Sequence, residues 1–476
     1  MRSSVIFLSI VLVLFFSISS AEVLTVQDFI SMTRCTDPQV SPDGRWVAFV
    51  VSVPDLKENR SNTDIWLVSP DGRRLKKLTN SDAADFHPRW APDSRRIAFV
   101  STRSGKPQIW LINIDGGEAT KLTGLSTGAF DPVWSPDGKT IAFYSFVYPD
   151  CKTDSCNTER EKEKEESGIR ARVTEKLLYR HWDSWKEGKR NHLFVVDVES
   201  GQTRDITAGE DYDYPPYPWG GSGDYTFSPD GKKLCVVCKR VDMEAVSTNT
   251  DLFLIDIKSG NIEKITDNEA ADESPAYSPD GKYIAYRAQN VPGFESDRWR
   301  LVLYDTRTGN RTVLTESFDR WVSEYCWSPD GKRIYFSAVD DGHKALFTLN
   351  IKSKKMKKLL GKANNSSPTI SPDGKSLFFV RRSFNYPHSI WRVSVSGKGL
   401  KRLTHFNSEV LSSIEMNQAE DIRYKGADGV TIQAFLIKPP AFEPNRRYPA
   451  IVMIHGGPQS AFIDSWYTNW NAQVFA

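Results

Sequence analysis

"YSPDGKYIAYR", residues 277–287, followed closely by "RLVLYDTRTGNRTVLT", residues 300–315, is the stretch that decides the fold. In the first segment Pro279 supplies the fixed φ of a turn's second position, the Asp280 side chain caps the turn, and Gly281 accepts positive φ. A strand must therefore reverse there. In the second segment apolar residues cluster over five to six positions, a glycine-bearing turn follows, and a short second strand ends in Leu-Thr, which is the pattern of a hairpin. The two segments together make a unit of four strands.

The unit recurs along most of the chain. Hairpins that align without a gap begin at Asp64, Gln108, His192, Asp251, Arg300, Ala345 and Ser389, and each follows a turn segment such as "VSPDGRWVAFV", "WAPDSRRIAFV" or "WSPDGKTIAFY". The starts are spaced 44, 84, 59, 49, 45 and 44 residues apart. A period of roughly 40–50 residues with four strands per repeat predicts a β-propeller. Seven units predict an all-β propeller of seven blades over residues 36–405, a ring that leaves no long sheet edge exposed. The 84-residue interval carries an insertion, residues 150–190. Its centre, residues 159–166, is a mixed-charge helix former and reads as solvated surface. Its end, "YRHWDSW", packs aromatic, cationic and acidic residues together; it reads as a loop stacked on its blade, or as a place where Arg180, His181 or Asp183 lines the route to a site. The run "KSKKMKK", residues 352–358, across the turn of the sixth hairpin reads as a solvated face.

Composition sets the broad class. A 476-residue chain with 14 tryptophans and 26 prolines fits a large, turn-rich β-protein. The formal net charge of +2 falls to +1 without Arg2, which gives no support to a nucleic-acid footprint, and no nucleic-acid partner is expected. Residues 1–21, "MRSSVIFLSIVLVLFFSISSA", combine an early Arg2, an apolar stretch too short to span a bilayer, and small residues Ser19 and Ala21 before a cleavage point. They predict a secretory signal, a secreted or periplasmic protein without a membrane span after cleavage, and a short N-terminal segment over residues 22–35. Six cysteines fit an oxidising compartment, and Cys151 with Cys156 is the candidate disulfide. Cys235 and Cys238 sit in a strand pattern that points them to opposite faces, so no metal or redox role is expected of them. Sequons stand at Asn59, Asn310, Asn364 and Asn365. No cofactor is expected.

After Thr404 the repeat stops. "DIRYKGADGVTIQAFLIKPP" gives two strands around a turn at residues 426–429, and "YPAIVMIHGGP", residues 448–458, gives a buried-strand pattern opening onto a glycine turn. Such a turn builds half an oxyanion hole.

With these features in sequence, the chain resembles the prolyl oligopeptidase family of serine peptidases, in its acylaminoacyl-peptidase and dipeptidyl-peptidase V branches. The resemblance rests on the SPDG-type repeats, the "RHWDSW" insertion, the hairpin leading into Pro439-Pro440, and His455-Gly456-Gly457-Pro458. It implies that residues 406–476 are the incomplete start of an α/β-hydrolase domain facing the propeller, and that short peptides are the substrates. It implies an oxyanion donor in the glycine turn, Gly457 before Gly456, with His455 positioning the loop.

The family's nucleophile elbow, G-x-S-x-G, is missing from these 476 residues. The nearest string, "GGSGD" at residues 220–224, ends in Asp224 and lies between propeller strands. The chain as given is therefore expected to be catalytically inactive, with residues 409–476 exposing apolar faces. The competing reading is a non-catalytic propeller that binds a protein or peptide partner, and the stretch from Tyr448 onward argues against it.

Overall fold

The computed structural model describes residues 22–174, 177–457 and 459–476. The leader reading at residues 1–21, and Pro458 of the glycine turn, lie outside the described residues.

Among the described residues, five separate four-stranded antiparallel sheets follow one another, each built from strands in chain order, the third skipping the short hairpin of the insertion. The fifth shows the plan: Asp272–Tyr277, Tyr283–Ala288, Arg300–Asp305 and Arg311–Val313 pair in chain order. Two further groups of four, starting at Tyr325–Trp327 and at Asn364–Ile370, merge into one eight-stranded sheet through a parallel pairing of Lys344 with Asn364.

The turn motif explains its own sequence. Ser278 Oγ donates to Asp280 Oδ1 (2.6 Å), the same carboxylate oxygen accepts from Lys282 N (3.1 Å), and Tyr283 N donates back to Ser278 Oγ (2.9 Å). Gly281 has φ +70° and packs on the Pro229 ring of the preceding unit. The same glycine-on-proline stacking repeats from unit to unit, and Gly44 of the first unit meets Pro372 of the last, where a Cβ would come within 3.1 Å. The second unit has Ser94 in place of glycine, and its hydroxyl accepts from Asp43 N (2.9 Å). The tryptophans before the motif tie neighbouring first strands together: Trp90 Nε1 donates to Gln39 O (2.8 Å), Trp134 Nε1 to Arg89 O (3.0 Å) and Trp327 Nε1 to Ala276 O (3.1 Å).

The Leu-Thr or Ile-Thr that ends six of the seven hairpins is a latch. Thr79, Thr123, Thr207, Thr266, Thr315 and Thr404 accept through Oγ1 from the backbone N–H of Ile65, Ile109, Leu193, Leu252, Leu301 and Ile390, at 2.8–3.0 Å. This satisfies a buried donor where the outer strand has ended. The sixth hairpin has Leu360 instead, and there the outer strand Met356–Leu360 runs on and Leu360 pairs with Leu346.

Apolar side chains alternate so that each sheet is buried on both faces, and the core is a series of layers between sheets. Cys235 packs with Tyr286 and Val302 of the fifth sheet, Cys238 with Val195 and Phe253 on the other face, as the strand alternation requires. Val47 and Phe49 of the first sheet share a layer with Phe378, Val380 and Ile390 of the last, so first and last sheets meet.

The segment before the first sheet is not independent of the end of the chain. Thr25 and Asp28 form a capping box at the helix Val26–Ser31. Glu22–Val23 pairs in parallel with Ile414–Glu415, and Leu24, Met32, Ile414 and Trp466 form one buried cluster. The expectation of loose apolar faces over residues 409–476 is thus corrected in part, because residues 463–467 dock. Ile463 N donates to Tyr467 Oη (2.8 Å), and Asp464 Oδ1 accepts from Phe384 N (2.8 Å).

The hairpin Glu420–Lys425 with Thr431–Leu436 forms around the expected turn. The buried strand expected at residues 450–454 does not form: Ile451, Val452 and Ile454 are 64%, 81% and 83% exposed. A strand exists only through its ladder, and no described strand runs beside this run. The sequons at Asn364 and Asn365 are also closed, since both side chains are buried in the strand Asn364–Ile370.

Each first strand ends at the Ser-Pro-Asp turn, so the connections between second and third strands emerge at the opposite end of the sheets. The insertion is one such connection. The tail sits over two others: Asp464 N donates to Gly342 O (2.8 Å), and Asn385 Nδ2 donates to Asn417 O (3.1 Å). Insertion and tail therefore occupy the face away from the ring of turns.

Candidate oxyanion turn and the cleft it faces

The turn after the exposed apolar run is built for glycine. Gly457 has φ +139°, and a Cβ there would stand 2.8 Å from Gln459 N. Without a side chain the backbone donors of the turn can be approached closely by a ligand. Gly456 is exposed with open space around it. His455 is exposed, its Nδ1 lies 3.1 Å from Gly456 O, and its ring meets Phe462 edge to face at 6.3 Å. Phe462 in turn packs on Tyr467 at 5.2 Å, beside the buried Trp466. His455 is thus in contact with both the turn and Phe462.

Gly457 and Gln459 line a cleft of about 300 Å³ whose other wall is made by residues 245–248 and by Gly293, Glu295 and Ser296. These wall residues come from the second-to-third-strand connections of the fourth and fifth sheets. Both loops are fixed. Asp297 Oδ2 accepts from Asn290 N (2.5 Å) and Val291 N (3.0 Å), and Gly293 N donates to Thr248 Oγ1 (3.0 Å), joining the two loops. Burial would raise the Asp297 pKa, but these N–H donors and Arg300 outweigh it and hold the carboxyl below its usual range.

The loop at 245–248 is anchored from behind by a buried ion network. Lys186 Nζ reaches Asp213 (2.8 Å) and Glu244 (2.7 Å), and Arg190 Nη1 bridges the same two carboxylates at 3.2 and 2.8 Å. Burial opposes charge on Glu244, yet Lys186 and Arg190 hold its pKa down. Removing one partner from such a network would leave an uncompensated charge, so it locks the loop to the end of the insertion.

The three access candidates lie apart from this cleft. Arg180 and His181 form one side of a short hairpin with Ser184–Trp185. The Arg180 guanidinium bonds the Trp182 carbonyl and lies 5.8 Å from the Trp185 ring, while His181 meets Trp219 edge to face at 5.4 Å. Asp183 is exposed at the hairpin tip. None of the three lines the cleft at Gly457. Cys151 and Cys156 are joined (S–S 2.01 Å) at the start of the helix Asp154–Glu166 in the same insertion. The cleft-lining Thr248, Glu295 and Ser296 were not singled out from sequence. Their signal is the length of residues 239–250 and 289–299, long connections where, the insertion aside, the other units have tight ones.

Among the described residues no group of His, Cys, Asp and Glu is arranged to hold a metal ion, and no helix is long and apolar enough to cross a membrane.

Comparison with known proteins fits this architecture. The TolB beta propeller domain matches residues 11–164 and 291–434, and the dipeptidyl peptidase IV N-terminal region matches residues 228–350. Dipeptidyl-peptidase 5 of Porphyromonas gingivalis is 32% identical over 464 residues, 96% of this chain and 67% of that protein. Probable dipeptidyl-peptidase 5 of Arthroderma benhamiae is 28% identical over 96% of this chain and 66% of its own. The chain thus spans about two thirds of the length of these curated relatives. Among solved structures, Pyrococcus horikoshii acylaminoacyl peptidase superposes with a TM-score of 0.72 at 16% identity, covering 93% of this chain and 63% of that one. The propeller domain of the Pyrococcus furiosus trilobed protease gives a TM-score of 0.53 at 15% identity, over 79% of this chain and 96% of its own. Those two likenesses concern the fold. With the repeat, the glycine turn and the relatives taken together, the chain belongs to the prolyl oligopeptidase family.

Proposed function

We propose that this chain is the N-terminal part of a secreted serine peptidase acting on short peptides. In this reading residues 36–405 form a seven-bladed propeller, and residues 406–476 begin an α/β-hydrolase domain. The observation that carries the proposal is the position of Gly457, whose glycine-only turn faces a cleft walled by fixed propeller loops. A substrate carbonyl placed there would meet backbone donors where charge develops in the tetrahedral intermediate, an interaction whose loss typically costs about 3 kcal/mol of barrier. The propeller loops at 245–248 and 293–296 would then limit what reaches the turn. The nucleophile and its base are not recognisable in these 476 residues, so the chain alone is proposed to be inactive.

The relatives named dipeptidyl-peptidase 5 favour release of dipeptides over cleavage of acylated residues. The test is to read the coding region past the codon for Ala476, express the continued frame, and compare dipeptidyl and N-acyl-aminoacyl reporter substrates. Hydrolysis of the dipeptidyl reporter alone is expected. A stop codon at that point, with no activity toward either reporter, would favour the non-catalytic, partner-binding propeller.

A further inference from the structure

The hairpins that form the outer rim of the sheets are unequally charged. Nine-residue windows at the same place in each hairpin, residues 350–358, 394–402 and 69–77, hold twelve basic residues and one acid, Asp71. The corresponding windows of the other four units, residues 113–121, 197–205, 256–264 and 305–313, hold six basic residues and eight acids. Along this outer rim, positive charge is therefore concentrated on one sector of a chain whose formal net charge is only +2.

That sector is continuous. The three windows belong to the sixth, seventh and first units, which are neighbours because the first and last sheets meet. The turn at Gly397 lies on the backbone of the sixth unit, where a Cβ would stand 2.5 Å from Leu359 O. Lys401 Nζ donates to Asp71 O (2.6 Å) and so joins the seventh unit to the first. Within this belt Lys352, Lys355, Lys357 and Lys398 are exposed, and their ammonium groups have no hydrogen bond or ion pair among the described residues. Arg73, Lys77 and Lys358 of the belt are paired with Asp71, Asp64 and Asp340, and the four unpaired ammonium groups on adjoining hairpins leave a local positive potential, which favours an anionic partner.

We propose that this belt binds an extended acidic polysaccharide. Three successive outer edges trace a convex arc, which a flexible chain can follow and a flat bilayer cannot. The belt windows contain no Phe, Tyr or Trp on which bases could stack, which separates the surface from single-stranded nucleic-acid grooves. The hairpin turns of the belt lie on the face with the Ser-Pro-Asp turns, away from Gly457, so a bound polyanion leaves the cleft open.

The test uses the full chain and a fluorescently labelled heparin oligosaccharide as probe, with affinity measured by anisotropy at about 50 and about 200 mM salt. Binding at low salt that weakens steeply with salt is expected. Combined Lys352→Ser, Lys355→Ser, Lys357→Ser and Lys398→Ser substitution should weaken it at least tenfold. Combined Lys139→Ser, Lys232→Ser, Lys258→Ser and Lys282→Ser, which removes the same charge from the third, fourth and fifth units, should leave it within twofold. Absence of binding at low salt, or equal losses from the two sets, would overturn the proposal. So would equal affinity for single-stranded DNA, or binding to anionic phosphatidylglycerol vesicles in place of the oligosaccharide.

Discussion

Replacing Thr266 with valine removes one hydroxyl and keeps the volume, and the consequences can be worked from the latch it closes. Thr266 is 1% exposed, and its Oγ1 accepts from Leu252 N at 2.9 Å and donates to Asp251 Oδ1 at 3.1 Å. Valine would leave the Leu252 N–H buried without an acceptor, a loss of about 1–3 kcal/mol. Asp251 keeps its ion pair with Lys264 (2.6 Å) but loses a donor, which adds about 1 kcal/mol. Thr266→Ser keeps both hydrogen bonds and loses one methyl group, about 0.8 kcal/mol. Amide hydrogen exchange at Leu252 reads the latch directly. The lower end of that sum, about 2 kcal/mol, corresponds to roughly thirtyfold less protection, so the valine variant should lose at least that much, whereas serine should cost about fourfold. If valine and serine lowered protection equally, the hydroxyl would have no latch role, and the recurring Leu-Thr would need another explanation.

Asp272 is buried beside Asp251 with one carboxylate oxygen unpartnered, and burial raises its pKa to about 7. The folded state therefore holds a proton more tightly than the unfolded chain, so this group's contribution to stability falls as pH rises from about 4 to about 7 and stays low above that. Urea unfolding should show Asp272→Asn more stable than the parent at pH 8 by about 1–3 kcal/mol, within a ceiling near 4, and no more stable at pH 4.5; a pH-independent difference would refute the assignment. Made in the continued, active enzyme, Gly457→Ala should lower kcat at least tenfold with little change in KM, because the φ of +139° is strained for alanine and the donor moves; a change confined to KM would assign the turn to binding. In a glycosylating host, mass spectrometry of tryptic peptides should find glycan at Asn59 and Asn310, both exposed, and none at the buried Asn364 and Asn365.

Local rules made the propeller legible. The Ser-Pro-Asp-Gly turn, the Trp before it and the Thr after each hairpin are each a complete hydrogen-bonding device within one unit or between neighbours, so their spacing carried the strand order. The opposite faces of Cys235 and Cys238 followed from the same strand period. The run at residues 450–454 was misleading because apolarity alone does not supply a paired strand. The cleft was not legible, since Gly457, Thr248 and Glu295 are more than forty residues apart from each other; Thr248 and Glu295 meet because their loops join neighbouring sheets, and Gly457 reaches them only with the docking of Asp464 and Trp466. The aromatic insertion drew attention to Arg180, His181 and Asp183, yet its contribution beside the cleft comes from Lys186 and Arg190, whose buried charges hold Glu244.

The most direct test of the peptidase reading is covalent labelling with a serine-directed fluorophosphonate, quantified by intact mass on the 476-residue chain and on the continued frame. The account predicts that the continued protein takes up one label at a serine beyond Ala476 and that the 476-residue chain takes up none. Stoichiometric labelling of a serine within the 476 residues would contradict it and return the search for the nucleophile to the propeller.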